Sequence, residues 1–270
     1  MSARALHAVV AAGLRDPRLL GGWAADPAAL GAYGSEAAGI DLAGLSGFAG
    51  LTAKVRHNGL RDDFPLTFRL LAAAGLEARL FTDYLFACAR EGRAFAPAPA
   101  RRGAELADFI LAWADPRSAA GALLIDVVRH ERALARLRCG GPGGGEAKAV
   151  PRDRPLRLAD VPVLAGEIEL LELGHDPDAI AAELCRAEPA LGAVAPSPAL
   201  LGYRRAPDGT TGLLRLDAFS FAFLGLVDGE ASIGSIAAAL GLPPAPPVAA
   251  AAGQLAEAGL IALRGTRTRP

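Results

Sequence analysis

The sequence predicts an α+β fold, mostly α, made of an N-terminal helical domain and a C-terminal domain that combines a β-hairpin with short helices. Three observations predict it. Over positions 2–138 apolar residues recur at spacings of three and four, the period of a helix with one buried face, and the pattern breaks where proline or glycine intervenes. Residues 139–155, CGGPGGGEAKAVPRDRP, then hold five glycines and three prolines with no apolar period. Beyond them the period switches to alternation, in LRLADVPVLAGEIELLEL and LLGYRRAPDGTTGLLRL, before helical spacing returns. A chain of 270 residues sits near the size at which single cores give way to two. The expected organisation is a helical domain at 1–138, a glycine-rich linker at 139–150 and a second domain at 151–270.

Helix starts are written in the first part as an aspartate followed by proline or an apolar residue. Asp16-Pro17 and Asp26-Pro27 each put a capping carboxylate before a proline at the first helical position, where its missing N–H costs nothing. Asp41-Leu42 opens LAGLSGFAGLTAKVRHNGL, and Asp63-Phe64-Pro65 opens a longer segment in which Gly75 separates two helices. Leu66, Leu70, Leu71, Leu80, Tyr84, Leu85 and Cys88 form one core stripe along that pair. A further helix is expected from about Gly103 to Ala114. Asp115-Pro116 begins the last, which carries Leu123, Leu124, Val127, Val128, His130, Leu134 and Leu137.

In the second part LRLADVPVLAGEIELLEL reads as strands, and Asp176-Pro177 starts a helix that runs to about Glu188. Two alternating runs flank Pro207-Asp208-Gly209, whose residues suit a hairpin turn. Helical patterns follow at Asp217–Val227, Ser232–Leu240 and Pro247–Ala258, and a short strand at Leu260–Arg264 closes the order. Phe219, Phe223, Leu224, Val227, Ile233, Ile236, Leu240, Leu255, Leu260 and Ile261 converge on one apolar centre. This order of hairpin, three helices and strand is winged-helix-like; it also suits a trihelical domain with no ligand of its own.

Composition removes several function classes. Twenty-eight Lys plus Arg against 29 Asp plus Glu give a net charge of −1, so no whole-molecule field draws the chain to phosphate. The third helix, PPVAAAAGQLAEAG, has no Lys or Arg with which to read or grip DNA, and the only encouragement for that reading is Arg264, Arg267 and Arg269. Cys88, Cys139 and Cys185 stand apart without CxxC spacing, which argues against a disulfide framework or a zinc site and fits a reducing cytoplasm. The N-terminal MSARALHAVVAAGLRDPRLL reads as an amphipathic helix rather than a signal, and no run of about 18 apolar residues predicts a membrane span.

No catalytic motif is present. KVRHNGLRDDFP, residues 54–65, is the densest polar cluster, and His57 in it has the chemistry of an acid, base or ligand. It lacks a second ligand at metal spacing, so an interface is the better reading and no metal site is expected. His130 and Glu131 read as solvated or C-terminal features of their helix, and His7 and His175 stand alone. CGGPGGG lacks the Lys-Ser/Thr of a phosphate-binding loop, and Ser46 and Ser220 lie in no GxSxG context.

The helical DPRLLGGWAADPAALGAYG and GFAGLTAKVRHNGLRDDFPLTFRLL, followed by the hairpin and LDAFSFAFLGLVDGE, IAAAL and QLAEAGLIAL, resemble the TglI-like partner subunits of multinuclear non-haem iron enzymes that modify ribosomally made peptides. The second half is similar to PqqD-type peptide-recognition domains, the RiPP recognition elements. The resemblance implies a non-catalytic chain that binds a precursor (leader) peptide and presents it to the iron enzyme, in a cytoplasmic hetero-oligomer. Iron belongs to the partner, and the chain itself carries no cofactor. On that reading Leu201, Tyr203, Leu214, Leu216 and Leu255 line the peptide groove, while Arg56, His57, Asn58 and Arg61 face the enzyme. The alternatives are a winged-helix DNA-binding transcriptional regulator, which predicts salt-dependent duplex binding, and a stand-alone helical enzyme, which predicts a pocket around His57.

Overall fold

A computed structural model describes residues 3–33, 37, 39–93, 95, 96, 98–139, 155–206 and 208–263. The linker expected at 139–150 lies outside them from residue 140 onward, as do Pro207 and Arg264, Arg267 and Arg269. The fold is α+β, mostly helical, with small antiparallel sheets. The chain divides into two compact units, one of Met1–Arg132 with Pro177–Ala195 and the other of Ala133–Asp176 with Pro196–Pro270. The compositional break thus lies downstream of the first contact boundary, which falls between two residues of one helix.

The first unit holds α1 (Ala3–Arg15), α2 (Pro17–Ala25), a 3-10 segment at Pro27–Tyr33, α3 (Leu42–Arg56), α4 (Pro65–Ala73), α5 (Glu77–Arg90), α6 (Pro99–Trp113), α7 (Ala119–Cys139) as far as Arg132, and α8 (Pro177–Leu184). Asp16 and Asp41 cap α2 and α3, their carboxylates accepting from the N–H groups of Arg18 at 3.1 Å and Gly44 at 2.9 Å. Asp26 makes the same bond to Ala28 at 3.1 Å, but the chain behind it winds as a 3-10 segment rather than an α-helix. Ser118, not Asp115, caps α7, with its hydroxyl taking the Gly121 N–H at 3.0 Å. Gly75, at φ +67°, turns the chain between α4 and α5.

The predicted stripe is the core. Leu70, Leu71, Leu80, Tyr84, Leu85 and Cys88 are buried together with Phe68, Phe81, Leu123, Leu124, Val127 and Val128. Each large side chain so removed from water contributes roughly 1.5–3 kcal/mol. Helix α3 lies close against α5 at Gly50, where a Cβ would clash with the Thr82 hydroxyl.

Helix α4 begins without a cap of its own, because Phe64 offers no side-chain acceptor. Its exposed donors are met from α7 instead. The Glu131 carboxylate accepts the Leu66 N–H at 2.7 Å through one oxygen and the Thr67 N–H at 2.9 Å through the other. Glu131 and His130 are both buried, so neither is the solvated feature that the sequence implied. Thr67 is buried and Leu66 partly so, and a buried N–H needs an acceptor from within the protein.

In the second unit β1 (Pro162–Leu164) pairs with β5 (Ile261–Leu263), and β2 (Glu167–Leu173), β3 (Ala199–Arg205) and β4 (Thr211–Arg215) form an antiparallel sheet in that order. The register sets Leu171 opposite Leu201 and Tyr203 opposite Leu213. Helices α9 (Ala218–Gly225), α10 (Ile233–Ala239) and α11 (Pro246–Glu257) pack Phe223, Leu224, Ile233, Ile236, Ala252 and Leu255 into one core with Leu260 and Ile261. Ile168, Leu170, Leu214 and Leu216 join it from one face of the sheet. From the other face Leu201, Tyr203 and Leu173 pack with Ala133 and Leu137, in the last turns of α7.

Glu131→Ala removes both acceptors from α4 and is expected to cost about 2–3 kcal/mol, with Glu131→Gln about half as much. Amide exchange at Leu66 and Thr67 should accelerate in both variants, more than at amides in the middle of α5. Unchanged exchange at those two positions would show that the carboxylate is not the cap.

Candidate functional site

The hairpin exposes a strand edge whose outward groups can be identified from two hydrogen bonds. The Ala206 N–H donates to the Thr210 carbonyl at 2.7 Å, and the Leu216 N–H donates to the Leu200 carbonyl at 2.9 Å. In an antiparallel ladder bonded pairs alternate with non-bonded ones. Positions 212, 214 and 216 therefore point their backbone groups at β3, while Thr211, Leu213 and Arg215 point theirs away from it, along a side of β4 on which no further strand pairs among the described residues. The turn that holds this edge is tied by the Asp208 carboxylate, which accepts from the Thr210 N–H at 2.9 Å. That bond holds the carboxyl of Asp208 below the usual carboxylate range.

Of the five residues expected to line a peptide groove, only Leu214 and Leu216 keep partial exposure. Leu201 and Tyr203 are buried because β3 is the central strand and their face is covered by α7. Leu255 is buried because it fills the centre of the three-helix core. Leu213, which sequence reasoning passed over, is 45% exposed beside them. Pairing order explains the difference, since alternation tells which residues share a face but not which strand lies at the edge.

Two further features belong to the same unit. Arg204 donates from Nη1 to the Ala258 carbonyl at 3.2 Å, beyond the last turn of α11, where a cation meets the negative end of the helix. The chain before β1 is strapped over α10, whose first amides at Ile233 and Gly234 donate to the carbonyls of Asp160 at 2.9 Å and Leu158 at 2.8 Å. Between that strap and α11 runs a groove of about 640 Å³, lined in part by Pro155, Leu156, Leu158, Ala249, Ala250 and Gly253.

In the helical unit the polar cluster at 54–65 separates into buried and exposed members. His57 has no exposed surface and cannot face a partner. Its Nδ1 donates to the Ala53 carbonyl at 2.7 Å, and its ring lies 4.9–5.5 Å from the rings of Phe81, Tyr84 and Phe95. Burial pushes its pKa below the ordinary value, helped by the positive charges of Arg102 and Arg56 and opposed by the Ala53 carbonyl. Burial likewise pushes the Tyr84 hydroxyl and the Cys88 thiol upward, so both stay protonated at neutral pH.

Arg61 is engaged within the unit, pairing with Glu77 at 2.6 Å and lying 4.6 Å above the Phe68 ring, while Glu77 also binds Lys54 at 2.5 Å. The Asn58 amide oxygen accepts from Arg61 Nε at 3.4 Å. Asn58 and Arg56 are exposed, and the Arg56 carbonyl accepts from Arg102 at 2.8 Å. They adjoin a feature that the sequence reading did not single out. Phe48, Leu51 and Val55, on successive turns of α3, are 49, 51 and 60% exposed. The available signal was that α3 carries apolar residues around its whole circumference, more than one buried face can use.

Among the described residues no group of three or more His, Cys, Asp and Glu converges to hold a metal ion, and no helix is long and apolar enough to cross a membrane. No protein-family model matches the chain, and a search of curated proteins found no match.

The depressed pKa of His57 has a definite sign in stability. The folded state prefers the neutral ring, so its contribution is complete above the ordinary value near 6.5 and is lost as pH falls towards the lower folded value. The midpoint of thermal unfolding should fall between about pH 7 and pH 5 more steeply in the natural protein than in His57→Phe. Parallel pH profiles for the two would mean that His57 is not held neutral by burial.

Proposed function

We propose that this chain is a non-catalytic partner subunit that captures a peptide in its second unit and presents it to a separate multinuclear non-haem iron enzyme bound at the first. The observation that carries the reading is the outer edge of β4, on which no further strand pairs among the described residues and where Thr211 and Leu213 turn their backbone groups away from β3. An extended peptide added there gains main-chain hydrogen bonds irrespective of its sequence, and exposed Leu213 with half-buried Leu214 and Leu216 supplies apolar contacts on alternate faces. The order of hairpin, three helices and closing strand supports a winged-helix, RiPP-recognition-like assignment of the unit. The absence of Lys and Arg from α10 and α11 favours a peptide over DNA as the occupant.

Support for an enzyme-facing surface comes from α3. Phe48, Leu51 and Val55 form a contiguous apolar stripe ending at exposed Arg56 and Asn58, the arrangement of an interface with an apolar centre and a polar rim. The iron, and the oxidative chemistry, belong to the partner. What this chain contributes is effective concentration and orientation of the peptide.

The strand edge supplies a decisive pair of variants. Leu213→Pro deletes an outward donor and leaves the β3–β4 ladder intact, whereas Leu214→Pro deletes a ladder bond. With a fluorescently labelled leader peptide of a ribosomal precursor, Leu213→Pro should weaken binding at least about tenfold with its circular dichroism spectrum unchanged. Leu214→Pro should destabilise the unit. Unaltered binding in Leu213→Pro, or no saturable binding by the natural chain, would overturn peptide capture at this edge. For the other surface, Leu51→Glu with Arg56→Glu should reduce co-purification with the iron enzyme, and an undisturbed complex would reject α3 as the contact.

A further inference from the structure

The helical unit contains a cleft of about 830 Å³ between α2, α5 and α6, a volume in the range of small-molecule sites. Its aromatic lining comes from Phe86, Phe109 and Trp113, all only half-buried, and its opposite wall is the backbone of Gly21 and Gly22 in α2. A glycine inside a helix costs about 1 kcal/mol against alanine, and close packing is the usual compensation. Neither glycine has that reason here, because a Cβ at either position would meet nothing within 4 Å. What the pair does is leave one wall of the cleft bare.

The charges around this space are unequal. Arg18 is engaged by Asp16 at 2.8 Å, and Asp83 accepts from the Trp113 indole N–H at 2.8 Å with Arg79 at 3.7 Å. Arg90, exposed at the rim, has no ion-pair partner among the described residues. A cleft with aromatic faces on one side, flat backbone on the other and one uncommitted guanidinium selects a ligand that is flat, apolar and singly negative. We infer that this cleft is a binding site for a planar aromatic anion of the aryl carboxylate or sulfonate class, its ring system against Phe86, Phe109 and Trp113 and its charge at Arg90. This site is distinct from the strand edge and from the α3 stripe, and its occupancy does not depend on the reading of either.

Gly22 makes the inference testable without unfolding the chain, since a side chain placed there enters open space and improves helix propensity. The probes are 1-anilinonaphthalene-8-sulfonate, which carries the anion, and N-phenyl-1-naphthylamine, which is neutral and of similar shape. Both should bind the natural protein at one equivalent and quench Trp113 through energy transfer. Gly22→Leu should abolish binding of both with an unchanged or raised unfolding midpoint. Arg90→Gln should weaken the sulfonate roughly tenfold and leave the neutral probe within about twofold. Binding that survives Gly22→Leu would place the probe elsewhere and overturn the site, and equal weakening of the two probes by Arg90→Gln would overturn the assignment of an anion.

Discussion

A helix that starts inside a protein must find acceptors for its first amides, and α4 finds them in a residue 65 positions downstream. Pro65 lacks one of the N–H groups, and the two oxygens of Glu131 take those of Leu66 and Thr67. This fixes the start of α4 to α7. Through Gly75 it also fixes the start of α5, whose Glu77 gathers Lys54 and Arg61 and whose Phe81 and Tyr84 enclose His57. The same helix supplies Phe86, Ala89 and Arg90 to the cleft and receives α3 at Gly50. Both candidate surfaces of the helical unit therefore depend on where α5 lies.

Much of the fold could be read before the structure, and the reasons are local. Asp16, Asp41, Asp217 and Ser232 cap the helices that their sequence positions predict, because a short acceptor before an apolar run acts on its own neighbours. The Asp208-Gly209 turn closes the hairpin for the same reason, through a bond two residues long. Asp63 was a plausible cap by that logic, yet α4 is served by Glu131, and no local rule connects the two. The pairing of β1 with β5 is likewise a contact between distant segments and left no trace in either sequence.

The candidate sites were less legible than the fold, since a site depends on what remains uncovered. His57 stands in a run of exposed polar residues and is itself the buried one, drawn inward by the Ala53 carbonyl and three aromatic rings. Arg61, beside it in the same run, is occupied by Glu77. The apolar residues Phe48, Leu51 and Val55 were not singled out by the sequence reading, and the inward face of α3 is already filled by Leu45, Ala49 and Ala53. An excess of apolar residues on a helix shows only that one buried face does not use them all, and which of them stay exposed is decided by the packing of other elements.

The contrast between Tyr203 and Leu213 shows how geometry decides exposure. They are register partners on one face of the sheet, and one is buried completely while the other is nearly half exposed. The cover on that face is the last turns of α7, which contribute Ala133 and Leu137. A helix is about 10 Å across and strands lie about 4.8 Å apart, so one helix can cover two strands and not three. With Leu171 and Leu173 of β2 and Leu201 and Tyr203 of β3 beneath it, β4 is left outside. The exposure of Leu213 follows from that shortfall in cover, on the strand beyond which no further strand pairs among the described residues. The peptide strand proposed for this edge would meet the exposed Leu213 side chain together with the outward backbone groups of Thr211 and Leu213.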